Sequence, residues 1–383
     1  MTLKPRLIAM GIASVLPMMA GAQGSTNVTL YGIVGTGIEY VNNVYNVETG
    51  EKHSSVHFNN VTSSISSRWG LRGKEDLGNG LSAAFVLESG FNTATGISRQ
   101  GGRLFGRQAW VGLKGDFGQL AFGRQYNMLK RGLSEADLLG SNTHGLASLN
   151  SYIPNTRMDN SITYLGKFDG LRFGAAYARG RETLKGCGVD YTDQTACQAW
   201  SVMLGYDAAN WGVAAAYDVL QGTDAGGGAW NEWYGAGAPL LKDEKDRHWT
   251  LNGYVKFDDL KVSLIYLNRK NDAGMASYAG SLGDRSDMWS LNAAYQASPS
   301  VILDGSVNYL RYKDADVASK SWFYVARARY LFSKRTHIFI SAAYMDNKGY
   351  AANSASSGTS GAGFQAEAGG SQTSVAVGLT HHF

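Results

Sequence analysis

The chain of 383 residues has only two cysteines and five prolines, and after its first 22 residues no unbroken apolar run is long enough to cross a bilayer as a helix. Each scarcity excludes something. Two cysteines, Cys187 and Cys197 in LKGCGVDYTDQTACQAW, offer too few ligands for a metal site. In an oxidising compartment they are expected to form a disulfide, closing a short loop for about 3 kcal/mol. Scarce proline beside 49 glycines and 21 tyrosines suits pleated strands and bends, with few long helices. Without a transmembrane helix, only a closed barrel could span a membrane, since a barrel is the other way to pair every backbone group in lipid. Charge of one sign is also missing, with 35 basic against 31 acidic residues, so no nucleic-acid partner is indicated. No nucleotide loop, nucleophile–base constellation or zinc spacing is present, which leaves no argument for an enzyme, a cofactor or a bound metal.

The start of the chain is a separate segment. Lys4 and Arg6 precede an apolar run from Leu7 to Met19, and Ala20-Gly21-Ala22 follows. This pattern reads as a secretory signal peptide over residues 1–22, leaving a mature domain over 23–383. Pro17 and the short run argue against an anchor.

Beyond residue 27 the chain reads as strands and turns. In TSSISSRWGLRGKEDLGNGLSAAFVLESGFN, Ile65, Trp69 and Leu71 share one face, and Arg68, Arg72 and Lys74 share the other. Alternation of this kind recurs to Phe383, through Trp200–Tyr206, Trp211–Tyr217, Trp249–Phe257, Trp289–Tyr295 and Trp322–Phe332. Short turns such as LGNG, DFGQ and Asp169-Gly170 alternate with long polar stretches, and a DG pair between alternating runs is a strong hairpin signal. The long stretches include 42–62, 128–158, 221–246, 268–287 and 347–370, all read as loops. About sixteen strands result, an even number, with short and long connections in strict alternation. An all-β, sixteen-stranded antiparallel transmembrane barrel accounts for this better than a soluble sandwich, because one apolar face per strand and long loops on one rim are what a lipid-embedded cylinder requires. A barrel of this size encloses water.

The strings SSRWGLRGKEDLGNGLSAAFVLESGFN, GRQAWVGLKGDFGQLAFGRQY, RMDNSITY and the terminal GLTHHF resemble the Gram-negative general porins, especially the neisserial-type branch. The resemblance covers the chain from about Val28 to Phe383. It implies an outer-membrane homotrimer of barrels with short periplasmic turns, long extracellular loops, and a third loop folded inward to narrow each pore. It implies passive transport of small hydrophilic solutes and ions. Carried over, the pore constriction would use a ladder of Arg68, Arg72, Arg107 and Arg157, faced by Glu135 and Asp137 on the inward loop. Fixed charges of opposite sign across a pore orient dipolar solutes and slow bulky apolar ones. Phe383 resembles the terminal aromatic read by the outer-membrane assembly machinery.

Alternation places other charges. Arg327 and Arg329 alternate with Ala326, Ala328 and Tyr330, which makes them secondary pore-wall charges. Arg107 shares the parity of the outward Val111 and Leu113, so a lumenal position requires a bulge or packing by a loop. Arg124 shares the parity of Leu120 and Phe122 and is expected outside, where a charge facing lipid is costly; a neighbouring subunit is its expected partner. His381 and His382 face opposite ways, and His53 and His57 lie outside any helix, so neither pair is read as a metal site. Two alternatives stand beside the pore. An outer-membrane hydrolase would need a Ser-His pair, with His337 the only candidate near a strand, and a surface adhesin or receptor would act through the loops. The wall charge suggests a mild preference for anions.

Overall fold

The computed structural model describes residues 27–58, 61–63, 65–150, 153, 156–179, 198–222, 240–241, 243–356 and 364–383. The expected leader over 1–22 and the expected Cys187–Cys197 bridge lie outside the described residues. Among those described, strand follows strand: β1 (Asn27–Tyr45), β2 (Lys52–His57), β3 (Arg68–Gly78), β4 (Leu81–Gly90), β5 (Gln108–Gly115), β6 (Gly118–Tyr126), β7 (Arg157–Phe168), β8 (Leu171–Arg179) and β9 (Gln198–Asp207). Then come β10 (Trp211–Gln221), β11 (Lys245–Phe257), β12 (Leu260–Ser277), β13 (Gly280–Ser298), β14 (Val301–Lys313), β15 (Lys320–Leu331), β16 (Thr336–Lys348) and β17 (Ser371–His382). One short helix, α1 (Met128–Leu133), and a 3-10 turn at Leu146–Ser148 lie between β6 and β7.

Seventeen segments make sixteen staves. β1 pairs with β3 along Asn27–Ile33 and with β2 along Glu39–Tyr45, so β2 and β3 share one position. Every other neighbour in the chain is a neighbour in the sheet, and β17 returns to β1 from Ile33↔His382 to Val41↔Ser374. The cylinder is closed. Turn chemistry sets the register: at the β7–β8 junction Asp169 and Gly170 have φ of 45° and 84°, the double positive-φ turn whose twist matches the flanking strands.

Two segments expected as loops are paired. β12 and β13 run through 268–287, with Arg269↔Ser286 and Lys270↔Arg285 in register before a bulge and a tip at Tyr278. The ladder outlasts the apolar alternation because these residues stand beyond the greasy band, where both faces are polar. Part of 42–62 is likewise β2. The β12–β13 tip leans back over the rim, where Tyr278 stacks on Tyr45 at 5.3 Å and its hydroxyl accepts from the Ala368 amide at 2.7 Å.

The outward face is greasy and belted. Near the long-loop rim a continuous arc of rings runs from Tyr177 on β8 to Tyr344 on β16 through cross-strand pairs such as Tyr266–Trp289 and Tyr309–Trp322, each 4.6 Å between centroids. Such amphipathic rings anchor at a membrane interface. On β17, β1 and β3–β6 the outward positions are mainly aliphatic, among them Val377, Leu30, Val111 and Leu113.

Inside, the segment between β6 and β7 is folded into the barrel. Leu129, Leu133, Ala136, Leu139, Leu146, Leu149 and Ile153 are buried against inward-facing Ile265, Leu267, Met288, Leu310, Phe323, Val325 and Met345 of β12–β16. One inner wall is therefore apolar, and the loop covers it. Water is left only on the other side.

Closure is tested at the chain's end. Gly32 N donates to Phe383 O at 3.1 Å and Phe383 N returns the bond at 3.0 Å, with the Phe383 ring lying where a Cβ of residue 32 would stand, 2.3 Å from Cζ. Arg68 O is 2.8 Å from the same point, so moving the ring alone would not make room. Gly32→Leu is expected to weaken the seam by about 1–3 kcal/mol, measured as a lower unfolding midpoint in detergent by circular dichroism. An unchanged midpoint would show that this contact does not hold the seam.

Candidate functional site

The water-filled side holds a cavity of about 1380 Å³. It runs from Arg68, Arg107 and Tyr126 beside the inward loop to Asp116 and Asp169 at the short-turn rim, and Arg329 and Asp137 also line it. Eight of its lining side chains are lysine or arginine and three are aspartate, so the bore is cationic.

The wall charges come in clusters where two arginines share one carboxylate. Glu88 on β4 accepts from Arg107 Nε at 2.8 Å and from the Tyr31 hydroxyl at 3.1 Å, with Arg68 Nη1 at 3.6 Å. Arg107 Nη2 donates to the Tyr126 hydroxyl at 2.6 Å, and the Arg157 guanidinium lies over the Tyr126 ring, 5.3 Å from its centroid. The second cluster lies on β14 and β15, where Asp304 accepts from Arg327 Nε at 2.6 Å and from Arg329 Nη2 at 2.6 Å. Each cluster keeps a net positive charge at short range. In the β4–β5 loop, burial and the positive fields of Arg107 and Arg157 push the Arg99 guanidinium down to about 10, as crowding of like charge requires.

Polar contacts fasten the inward loop at several points. Asn127 caps α1, its Oδ1 accepting from Lys130 N at 3.0 Å while its Nδ2 donates to Asp218 on β10 at 2.6 Å. Arg327 Nη1 donates to Leu139 O at 3.2 Å and also to Ser63 O. His144 is fully buried, with Nδ1 2.8 Å from Ser341 Oγ, Nε2 2.7 Å from Ser374 Oγ and 3.3 Å from Glu39 Oε1. The other oxygen of Glu39 is 2.9 Å from His57 Nε2 on β2. A buried loop needs its polar groups satisfied, and these bonds do so while fixing its position.

The expected site residues distribute unevenly. Arg68, Arg107 and Asp137 line the cavity, whereas Arg72, Arg157 and Glu135 are not among its lining. Arg72 lies over the Tyr31 ring, 5.2 Å from its centroid. Arg107 escapes its parity because it precedes β5, held by its backbone bond to Glu88 O at 3.0 Å. Arg329 lines the cavity and Arg327 is buried in the loop clamp. Neither acid of the loop stands opposed to the arginine ladder alone. Asp137 accepts from Gly140 N at 3.0 Å with Lys130 Nζ 3.9 Å away, and Glu135 pairs with Lys261 of β12 at 3.1 Å. The side of α1 toward the water carries Lys130 and Arg131 instead, and burial lowers Arg131 below the ordinary arginine range.

Arg124 departs from the lipid-facing geometry expected for it. Phe122 is 49 % exposed but Arg124 only 7 %, because Gly123 at φ 119° introduces a register shift. Its guanidinium donates to Gly106 O at 2.7 Å and to Asp159, so the charge is paired within the chain. His337 does meet a serine, Ser63 Oγ at 2.9 Å from Nε2. Both are buried, and among the described residues no carboxylate pairs with that histidine. Sequence reasoning missed Lys130, Arg131, His144 and the apolar inner wall. A signal for the last existed in strands apolar on both faces, such as Leu264-Ile265-Tyr266-Leu267.

The clamp yields a prediction. Arg327→Leu removes two charge-assisted bonds to backbone carbonyls, each worth about 1.5–3 kcal/mol. A higher and noisier single-channel conductance is expected in planar bilayers, and a quiet trace at unaltered conductance would show that the loop is held elsewhere.

Comparison with known proteins gives concordant results. Residues 9–350 match the family described as Gram-negative porin. An outer membrane porin protein of Bordetella pertussis is 35% identical over 272 residues, covering 66% of this chain and 67% of that protein. Outer membrane porin protein 32 of Delftia acidovorans is 29% identical over the whole of both chains. Among solved structures, an anion-selective porin from Comamonas acidovorans superposes with a TM-score of 0.73 at 23% identity, covering 94% of this chain and 100% of that one. At that identity the likeness speaks for the fold alone.

Proposed function

Because this chain belongs to the Gram-negative porin family, we propose that its pore prefers anions, with Arg68, Arg107, Lys130, Arg131 and Arg329 forming the selective stretch. The protein is an outer-membrane diffusion channel, and small hydrophilic solutes pass through it without chemistry. The observation that carries the preference is the cationic lining, eight basic side chains to three acidic, left open by a loop packed on the opposite wall. A bore walled by low-dielectric protein focuses such a field and raises the local concentration of anions.

Charge on both sides of the narrow part changes the expected filter. With Asp137 beside Lys130 and Glu135 on Lys261, little carboxylate faces the arginine wall, so sign of charge dominates over the alignment of dipoles. Size is set by the loop. Arg72 and Arg157 act one step back, sustaining the positive field from behind Tyr31 and Tyr126.

The expected test is a reversal potential under a KCl gradient in planar bilayers. Anion preference should be clear near 0.1 M salt and fall toward 1 M, since the screening length drops from about 10 Å to about 3 Å. Cation preference would refute the assignment.

The homotrimer rests on the outer surface. The aromatic arc spans β8–β16, whereas outward positions on β17, β1 and β3–β6 are mainly aliphatic, a difference that supports reading the latter as the face turned from lipid toward neighbouring subunits. Val111, 58 % exposed, lies on that face, and Leu251, 57 % exposed, lies under the arc. Val111→Trp should therefore lower the heat resistance of trimers on unboiled gels while Leu251→Trp leaves it intact. Equal behaviour of the two would count against this face. Phe383 is retained as the signal to the assembly machinery, its exposed ring standing just past the end of β17.

A further inference from the structure

Above the aromatic arc, the lipid-facing side of the sheet carries a row of charges at the long-loop rim. Most of them cancel in pairs. Arg247 donates to Asp272 at 2.6 Å, Arg285 to Asp314 at 2.7 Å, Lys270 stands 4.0 Å from Asp284, and Lys313 pairs with Asp287. Strands β14–β16 break this pattern. There Arg311 lies directly opposite Lys320, and Lys320 directly opposite Lys348, so three cations stand side by side on adjacent strands. All three are exposed. Lys348 has Asp346 at 2.9 Å, but Arg311 and Lys320 have no ion-pair partner among the described residues. Asp287, opposite Arg311 in register, is taken up by Lys313, by the Tyr266 hydroxyl at 2.8 Å and by Asn268 Nδ2 at 2.8 Å.

We propose that Arg311, Lys320 and Lys348 form a docking site for the phosphorylated headgroup of a membrane lipid, whose acyl chains lie along the aromatic and aliphatic face beneath. Like charges directly opposite on neighbouring strands destabilise a sheet, and here three cations stand against the one carboxylate of Asp346. Adjacent strands are about 4.8 Å apart, so the three long side chains start close enough to converge on one phosphate group. A phosphate monoester brings the opposite charge and several acceptor oxygens, which an arginine fork and two ammoniums can share. The height of the site suits a lipid. One step down the same strands are Tyr309 and Trp322, 4.6 Å between ring centroids, then Tyr324 stacked on Trp322 at 6.0 Å, and deeper still the exposed Val307 and Ile340. Such rings mark the membrane interface, which sets the triad at headgroup level with an apolar strip below it. A free anion would meet the charges but not the strip. The site is outside the bore and independent of the ion preference of the pore.

The experiment uses the full-length protein in detergent micelles, with binding read by native mass spectrometry. Lipid A bearing phosphate monoesters is the probe, its enzymatically dephosphorylated form is the matched control, and inorganic phosphate is the free-ion arm. Wild-type protein should bind the phosphorylated lipid, bind the dephosphorylated form much more weakly, and keep the lipid when inorganic phosphate is added in excess. Lys320→Gln and Arg311→Gln are two independent arms, each expected to weaken binding about fivefold, the worth of one basic side chain at an anionic lipid surface. Arg311→Lys should recover most of the loss. Arg285→Gln, which breaks a rim pair already neutral, should leave binding unchanged, and heat-modifiability on gels confirms that each variant has folded. Equal binding of the two lipid forms would overturn the proposal. Release of the lipid by inorganic phosphate would show a site for a free ion and overturn the lipid assignment. Binding unaltered in folded Lys320→Gln and Arg311→Gln, or weakened as much by Arg285→Gln, would show that the triad is not the site.

Discussion

A backbone surrounded by hydrocarbon must pair with itself, since an amide or carbonyl left unpaired there costs several kcal/mol. Everything else in this molecule follows from how the chain meets that demand. Each strand bonds to the next in sequence, and β17 comes back to β1 over nine residue pairs. Once the sheet is closed, each side chain must point either to lipid or to the lumen. The outer positions are then free to be greasy and the inner ones to be charged. Gly32 and Phe383 matter because they lie where the cylinder is joined.

Closure creates a second problem, an interior too wide to filter anything. The chain answers it by reversing the usual polarity on part of the inner wall. β12–β16 turn Ile265, Leu267, Met288, Leu310, Phe323 and Met345 inward, and the segment after β6 brings Leu129, Leu133, Leu146 and Leu149 against them. Hydrophobic contact holds the loop broadly, while Arg327 and His144 fix its height and rotation through directional bonds. The remaining passage is then bounded by Arg68 and Arg107 on one side and by Lys130 and Arg131 on the other. Which charges line the passage is thus a by-product of which wall the loop covers.

Much of the barrel was legible in advance, and the misreadings have specific causes. Strands near the greasy band betray themselves by alternation, and Asp169-Gly170 announces its turn. Alternation fails above the band, which is why the paired stretch 268–287 looks like a loop. It fails again wherever a bulge intervenes: Gly123 takes Arg124 out of step with Phe122, so counting by twos puts the charge on a lipid-facing surface that it does not occupy. The arginine wall could be located through motif resemblance. The acids of the loop could not be paired from sequence, because Glu135 meets Lys261 some 126 positions away.

Period-two patterning, turn residues and the absence of any helix long enough to span were sufficient by themselves to determine a many-stranded barrel with a wet, charged bore, since these properties are local and repeat along the chain. Which charges confront one another inside that bore was decided only by tertiary structure. Electrostatic compensation depends on distances of a few ångströms between residues brought together from across the ring, and no local pattern records which side of a short helix turns toward water.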